Sequence, residues 1–188
     1  MATDLSNWSN FISNKDIETY AKKQKKNNVS KTLSAQDVWT AALEAKKTEP
    51  LDIEWVAEKL FGLNVVKRDL GEASGFLNVL DDQWCIFVNK FENERRQRFT
   101  IAHELGHFVL HKDKSITSKD IIFFRDENTN IEEQEANNFA SELLMPERKI
   151  REYIKEGYNT ISLLADKFCL STPAVRYRLY KLGLISEY

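Results

Sequence analysis

Two histidines and a glutamate stand at a spacing that suits metal chemistry. His103, Glu104 and His107 form the pattern HExxH inside the stretch RRQRFTIAHELGHFVLH. On an α-helix, residues i and i+4 lie one turn apart on the same face, so two imidazoles there can grip a single ion. Glu104 stands about 100° around the axis from His103. Its carboxylate can reach a water on such an ion without binding the ion itself. A bare HExxH arises by chance in unrelated chains. Here Phe99, Ala102, Leu105, Phe108 and Val109 add an apolar stripe at helical spacing, so the segment reads as a helix that is both core and site.

A catalytic zinc site usually has three protein ligands and one open position. His111 lies eight residues beyond His103, about 12 Å along one helix. The two cannot share an ion through bonds of about 2.1 Å. His111 therefore reads as a residue supporting a ligating histidine from behind, or as one at the helix end, where a protonated imidazole is favoured. The longer HExxHxxGxxH pattern is absent. A second helical stretch, EEQEANNFASELLMP at 132–146, supplies acids, with Ala136, Phe139, Ala140, Leu143 and Leu144 on its apolar face. Glu132, Glu133 and Asn137 can look back at the histidines. Glu133 and Asn137 are i,i+4 partners, which allows Glu133 to bind the ion and Asn137 to support a ligating histidine. Glu135 points roughly 200° away from Glu133 and is less suitable. A buried Glu133 is costly unless ionised and paired with a cation; the plain alternative is a solvent-facing glutamate.

The remaining chain is read as the frame for these groups. Residues 1–31 are polar and lysine-rich and are expected to form one or two loosely packed helices. Ser34 with Asp37 resembles a capping box opening a helix to about Lys47, ended by Glu49-Pro50. Leu51 to Phe61 repeats apolar residues at helical spacing, with Gly62 as C-cap. LNVVKR, ASGFLNVL and QWCIFVN read as strands of a small antiparallel sheet, the last leading toward the motif helix at about Glu94 to His111. Residues 121–126 are read as a short strand or a loop. The second long helix is expected from near Ile131 to Leu144, stopped by Pro146, which opens a short helix closed by Gly157. Residues 160–185, TISLLADKFCLSTPAVRYRLYKLGLI, look like a helix-turn-helix with its turn at Leu170-Ser171 and its end at Gly183. A DNA-reading helix would expose Thr172, Arg176, Tyr177 and Arg178. The simpler reading is two helices that close the domain.

Charge weighs against DNA as the main partner. Twenty-seven Lys and Arg face 29 Asp and Glu, a net charge of -2, whereas DNA affinity rests on a substantial basic footprint. Cys85 and Cys169 are the two cysteines, too few for a disulfide scaffold. There is no apolar run of membrane-spanning length and no basic-then-apolar leader, so a cytoplasmic protein is expected.

Taken together, RFTIAHELGH and EEQEANNFASELLMP resemble the ImmA/IrrE family of HExxH metallopeptidases, over roughly residues 50–180. The resemblance implies that His103, His107 and Glu133 bind zinc, that Glu104 is the general base, and that LLMP at 143–146 is a structural helix terminus. It further implies a protease that cleaves or inactivates a helix-turn-helix repressor, in a stress response or on a mobile element. The expected fold class is α+β: a mainly helical zincin-like domain with a small antiparallel sheet of about three strands and a C-terminal helix-turn-helix-like segment. The expected divisions are a lysine-rich extension at 1–48, the metallopeptidase core at 49–157 and the C-terminal segment at 158–188, packed on the core. Mn2+, Fe or Co could occupy the same ligands as Zn2+. Tyr153 and Tyr158 are candidate oxyanion donors, although packing is their plainer role. Arg95, Arg96 and Arg98 could anchor a substrate carboxylate, and either Trp84–Asn89 or Ser74–Leu80 could take substrate as an added strand. Two other functions fit less of the sequence: a metal-binding module that controls a partner without cutting it, and a DNA-binding regulator with a vestigial core. An intact Glu104 favours the enzyme, because a pure binding site has no need of that base.

Overall fold

The computed structural model describes residues 35–115 and 129–187. The expected N-terminal helices, Ser34 of the capping box and the 121–126 segment lie outside the described residues. Helix α1, Ala35–Glu44, turns Val38, Trp39 and Ala42 into the core, and Trp39 Nε1 donates to the Leu143 carbonyl at 2.8 Å. The apolar side of α1 thus joins the core, although it falls within the stretch read as an extension. Helix α2 begins at Ile53–Trp55 and widens into a π-helical turn at Val56–Leu60. Asp52 caps it by accepting from the Trp55 amide at 3.0 Å, the usual answer to the unpaired amides of a first turn. Gly62, at φ 68°, ends the unit as expected.

Three strands follow: β1 Asn64–Arg68, β2 Gly75–Leu80 and β3 Gln83–Asn89. Their order is β1-β3-β2. The β2–β3 pair is an antiparallel hairpin. Its two turn residues, Asp81 and Asp82, both have positive φ, 51° and 62°, which matches the twist that two-residue hairpin turns need. The expectation of an antiparallel sheet holds for this pair, whereas β1 lies parallel to β3. The sheet is therefore mixed, because the chain passes from β1 to the far edge before returning by the hairpin. That order puts β3 in the middle, with Trp84 to Asn89 all buried. A strand covered on both faces carries a continuous apolar run rather than an alternation, and WCIFV is such a run.

Helix α3, Glu94–Ser115, lies against the sheet and against α4, Thr129–Leu144. The two helices meet closely at Gly106, where a Cβ would stand 3.1 Å from Ala136 Cα and 3.2 Å from its carbonyl oxygen. Gly75 plays a similar part at the start of β2, where a Cβ would overlap Thr100 Cγ2 and the Phe87 carbonyl. Two glycines thus let α4 and β2 close on α3 from two sides. Helix α5, Glu147–Lys155, starts after Pro146 and ends before Gly157 at φ 101°.

The C-terminal pair is α6, Ile161–Phe168, and α7, Thr172–Lys181. Thr160 and Ser171 cap them, and Cys169 makes the left-handed turn between them at φ 53°. Leu164, Ala165, Phe168, Leu170, Val175 and Leu179 belong to the same apolar cluster as Ile86, Ile101 and Leu105. Three arginines tie the pair to the body. Arg95 reaches Asp166 at 2.6 Å and the Leu170 carbonyl at 2.9 Å. Buried Arg98 reaches the carbonyls of Leu51 and Phe168. Arg178 donates to the Met145 carbonyl at 3.2 Å. Among the described residues no helix is long and apolar enough to cross a membrane.

Candidate metal centre

The two motif histidines project from one face of α3, and Glu133 reaches them from α4. His103 Nε2 and His107 Nε2 are 3.0 Å apart. Glu133 closes the triangle, with Oε2 at 3.3 Å from His103 Nε2 and Oε1 at 3.2 Å from His107 Nε2. Ligands about 2.0–2.1 Å from one tetrahedral ion stand roughly 3.3 Å from each other, so these spacings fit a single small cation. The protonation pattern agrees. His103 Nδ1 faces Asn137 Oδ1 at 3.1 Å. An amide oxygen only accepts, so the His103 proton sits on Nδ1 and leaves a lone pair on Nε2. This cluster can hold a divalent metal. Asn137 supports a histidine in the manner expected from its i,i+4 relation to Glu133.

The electrostatics also suit a cation. Burial is the main influence that lowers the His103 pKa, against the raising effects of Glu133 and Asn137. Burial and then the two neighbouring imidazoles push His107 down to about 4. Both shifts favour the neutral ring, the form in which an imidazole can bind a metal. Glu104 is 8% exposed. Burial first, and then the charge of Glu133, push its carboxyl up to about 8, while a backbone hydrogen bond from Leu77 works the other way. The Glu133 side chain is 52% exposed. It meets the histidines at the rim of the site.

The other sequence candidates fall into place around this centre. His111, 1% exposed, puts Nδ1 3.3 Å from His107 Nδ1, and its Nε2 meets Glu135 Oε2 at 2.9 Å. Glu135, set aside because it turns away from Glu133, thus has a partner one turn farther along α3. Glu132 is close enough to oppose the lowering of the His107 pKa, but it is not one of the converging groups. Tyr153 is buried against Tyr158 and Phe168, so packing is its role here. Arg95 and Arg98 hold the C-terminal helices. Arg96 stays at the site, bonded to Ser74 Oγ at 3.1 Å and near enough to depress His103.

Of the two strands that could take a substrate, β3 is central and β2 is an edge among the described residues. The Asn89 amide donates to the Ser74 carbonyl at 2.8 Å. By antiparallel alternation, Phe76 and Asn78 therefore pair inward while Gly75, Leu77 and Val79 direct their backbone groups to the outer side. Glu104 meets Leu77 on that side, which places β2 directly beside the centre. An open groove of about 1010 Å³ continues from Glu133 and Asn137, past Arg96 and Phe99, to Pro173 and Tyr177 of α7.

The family model described as an IrrE N-terminal-like domain, of the M78 peptidases, matches residues 58–180. This chain belongs to that metallopeptidase family. Metallopeptidase ImmA of Bacillus subtilis (strain 168) is 34% identical over 127 residues, which are 65% of this chain and 72% of that protein. A solved structure, a Mycobacterium tuberculosis transcriptional regulator, shares the fold at TM-score 0.52 and 21% identity, over 87% of this chain. This chain matches about half of that one, 51%.

Proposed function

We propose that this chain is a zinc-dependent endopeptidase that cuts one regulatory protein, a helix-turn-helix repressor, in the cytoplasm. The observation that carries the reading is the convergence of His103 Nε2, His107 Nε2 and the Glu133 carboxylate beside the buried Glu104 and the edge strand β2. His103, His107 and Glu133 would hold the ion. When bound, it supplies a Lewis acid that makes water a nucleophile near neutral pH and stabilises negative charge on the substrate. The chain's own groups do the rest. Substrate is added antiparallel or parallel to β2, where the outward carbonyls of Gly75, Leu77 and Val79 are the main-chain partners, because the Leu77 amide donates to Glu104 and the Val79 amide to Asn78 Oδ1. Glu104, drawn toward its ionised form by a neighbouring positive charge, takes the proton of the attacking water and passes it to the leaving amine nitrogen. Asn137 holds the His103 ring in place.

Family membership and the relative's printed name as a metallopeptidase support peptide hydrolysis. A repressor substrate rests on the family resemblance, joined here by a fold shared with a transcriptional regulator. Among the residues a DNA-reading helix would expose, Arg178 is instead engaged with the Met145 carbonyl, which argues against direct DNA reading. The test is capture in the native host with the Glu104→Gln protein, followed by incubation of the partner with zinc-loaded wild type and measurement of intact masses. Metal-dependent cleavage at one bond, absent with Glu104→Gln, is the expected result. A captured partner that stays whole with metal-loaded wild type would sink the peptidase reading in favour of control by binding.

A further inference from the structure

We infer that His111 and Glu135 form a positioning pair that sets the tautomer of His107 and so directs its Nε2 lone pair at the metal. The inference rests on the reading of His103, His107 and Glu133 as metal ligands. Glu135 Oε2 lies 2.9 Å from His111 Nε2. A carboxylate accepts, so His111 Nε2 bears a proton, and in the neutral ring that the proposal takes its Nδ1 carries a lone pair. That lone pair faces His107 Nδ1 at 3.3 Å, so the His107 proton sits on Nδ1. His107 Nε2 then carries a lone pair, 3.0 Å from the Nε2 lone pair of His103 and 3.2 Å from Glu133 Oε1. Three acceptors then converge within 3.3 Å of one another, an arrangement that a cation satisfies. The order Glu135, His111, His107 is thus a one-way chain of hydrogen bonds, with each ring's tautomer dictated by the one behind it.

Burial makes the arrangement stiff. His111 is 1% exposed and His107 4%, so water cannot freely replace either partner. Both histidine ligands are served in this way, His103 by Asn137 and His107 by His111, and both supports depend on α4. A partner behind a ligating histidine fixes ring orientation and raises ligand basicity, and its loss typically costs about 10–100-fold in metal affinity. Here the partner of His107 is a second imidazole, which itself needs the outer carboxylate.

The experiment measures Zn2+ and Co2+ affinity by chelator competition, together with the Co2+ visible spectrum, for wild type, His111→Leu, His111→Gln and Glu135→Leu. Ion-free melting curves report folding separately. His111→Leu fills the space without an acceptor and is expected to weaken both ions about 10–100-fold and to shift the Co2+ bands. His111→Gln, whose amide oxygen can accept from His107 Nδ1, recovers most of that loss. Glu135→Leu moves affinity in the same direction by less. Nitrogen-15 spectra of imidazole-labelled, zinc-loaded wild type should show His107 protonated at Nδ1 and His111 at Nε2. The His111 tautomer decides the matter even if a variant fails to fold. Unchanged affinity and spectrum in a folded His111→Leu protein, or the opposite tautomers in wild type, overturn the pair while the metal centre stands. Wild type that binds neither ion overturns the centre and this inference with it.

Discussion

The α3–α4 pair and the α6–α7 pair are both helix pairs joined to one core, yet they are built by opposite rules. Between α3 and α4 the buried residues include Glu104, His107, His111 and Ser141, and the close approach depends on a glycine in mid-helix. A glycine there weakens a helix by roughly 1 kcal/mol relative to alanine, and a buried carboxyl or imidazole is costly without partners. The α6–α7 pair buries Leu164, Ala165, Phe168, Leu170, Val175 and Leu179. Its ends are closed by Thr160, Ser171 and the left-handed Cys169. One pair gives up stability to bring polar groups together. The other supplies stability and walls the groove, with its polar surface left in water.

The sharpest way to break this comparison is Glu104. Replacing it with Gln is expected to lower peptide cleavage about 10²–10⁴-fold, the usual worth of a general base, while the ion-free fold gains. In the folded chain the carboxyl holds its proton up to about 8, against an ordinary 4.5. A folded state that binds the proton more tightly loses stability as pH rises through that window. Wild type should therefore fall behind the Glu104→Gln protein by a margin that widens from the ordinary value of 4.5 to about 8. Ion-free thermal melts across that range check it, and a constant margin would contradict the burial of this carboxyl.

A smaller effect is expected at Gly106, whose added side chain must displace Ala136 or Phe139. Gly106→Val should cost about 1–3 kcal/mol in a denaturant melt, as overpacking does, and should weaken Zn2+ binding because Glu133 and Asn137 move away with α4. Wild-type affinity in this variant would show that the helices need not approach so closely. The smallest effect belongs to the C-terminal pair. Ser171→Ala removes the acceptor of the Ala174 amide and should cost about 1 kcal/mol with zinc affinity unchanged. A loss of zinc affinity there would mean that the two helix pairs are coupled and that the contrast between them is false.

Much of the fold was legible because periodicity and punctuation are local. The apolar stripe of Phe99, Ala102, Leu105 and Phe108 marks α3, Pro146 separates α4 from α5, and Gly157 and Gly183 sit after helices as C-terminal glycines do. The direction of β1 was not legible, because a short apolar run does not state which neighbour it joins. WCIFV did carry a usable signal, since a strand apolar at every position is central rather than an edge. Glu135 was set aside for a sound but incomplete reason. Its angle from Glu133 keeps it off the ion, but it serves a residue one turn farther along α3, and only the way α3 and α4 lie together reveals that.

The sequence by itself determined what depends on helical spacing: His103 and His107 one turn apart, Glu104 at the edge of their face, and Glu133 with Asn137 one turn apart on a second helix. These relations follow from 3.6 residues per turn and hold wherever the helices lie. Only the tertiary structure decided what depends on how the elements meet. It brought Glu133 to 3.2–3.3 Å from both imidazoles, joined His107 to His111 and Glu135, and set the edge strand β2 beside Glu104. It also decided how deep Glu104 lies, and with that its affinity for a proton. Such contacts join residues far apart in the chain, and their geometry follows from close packing at points such as Gly106 against Ala136, which no local pattern records.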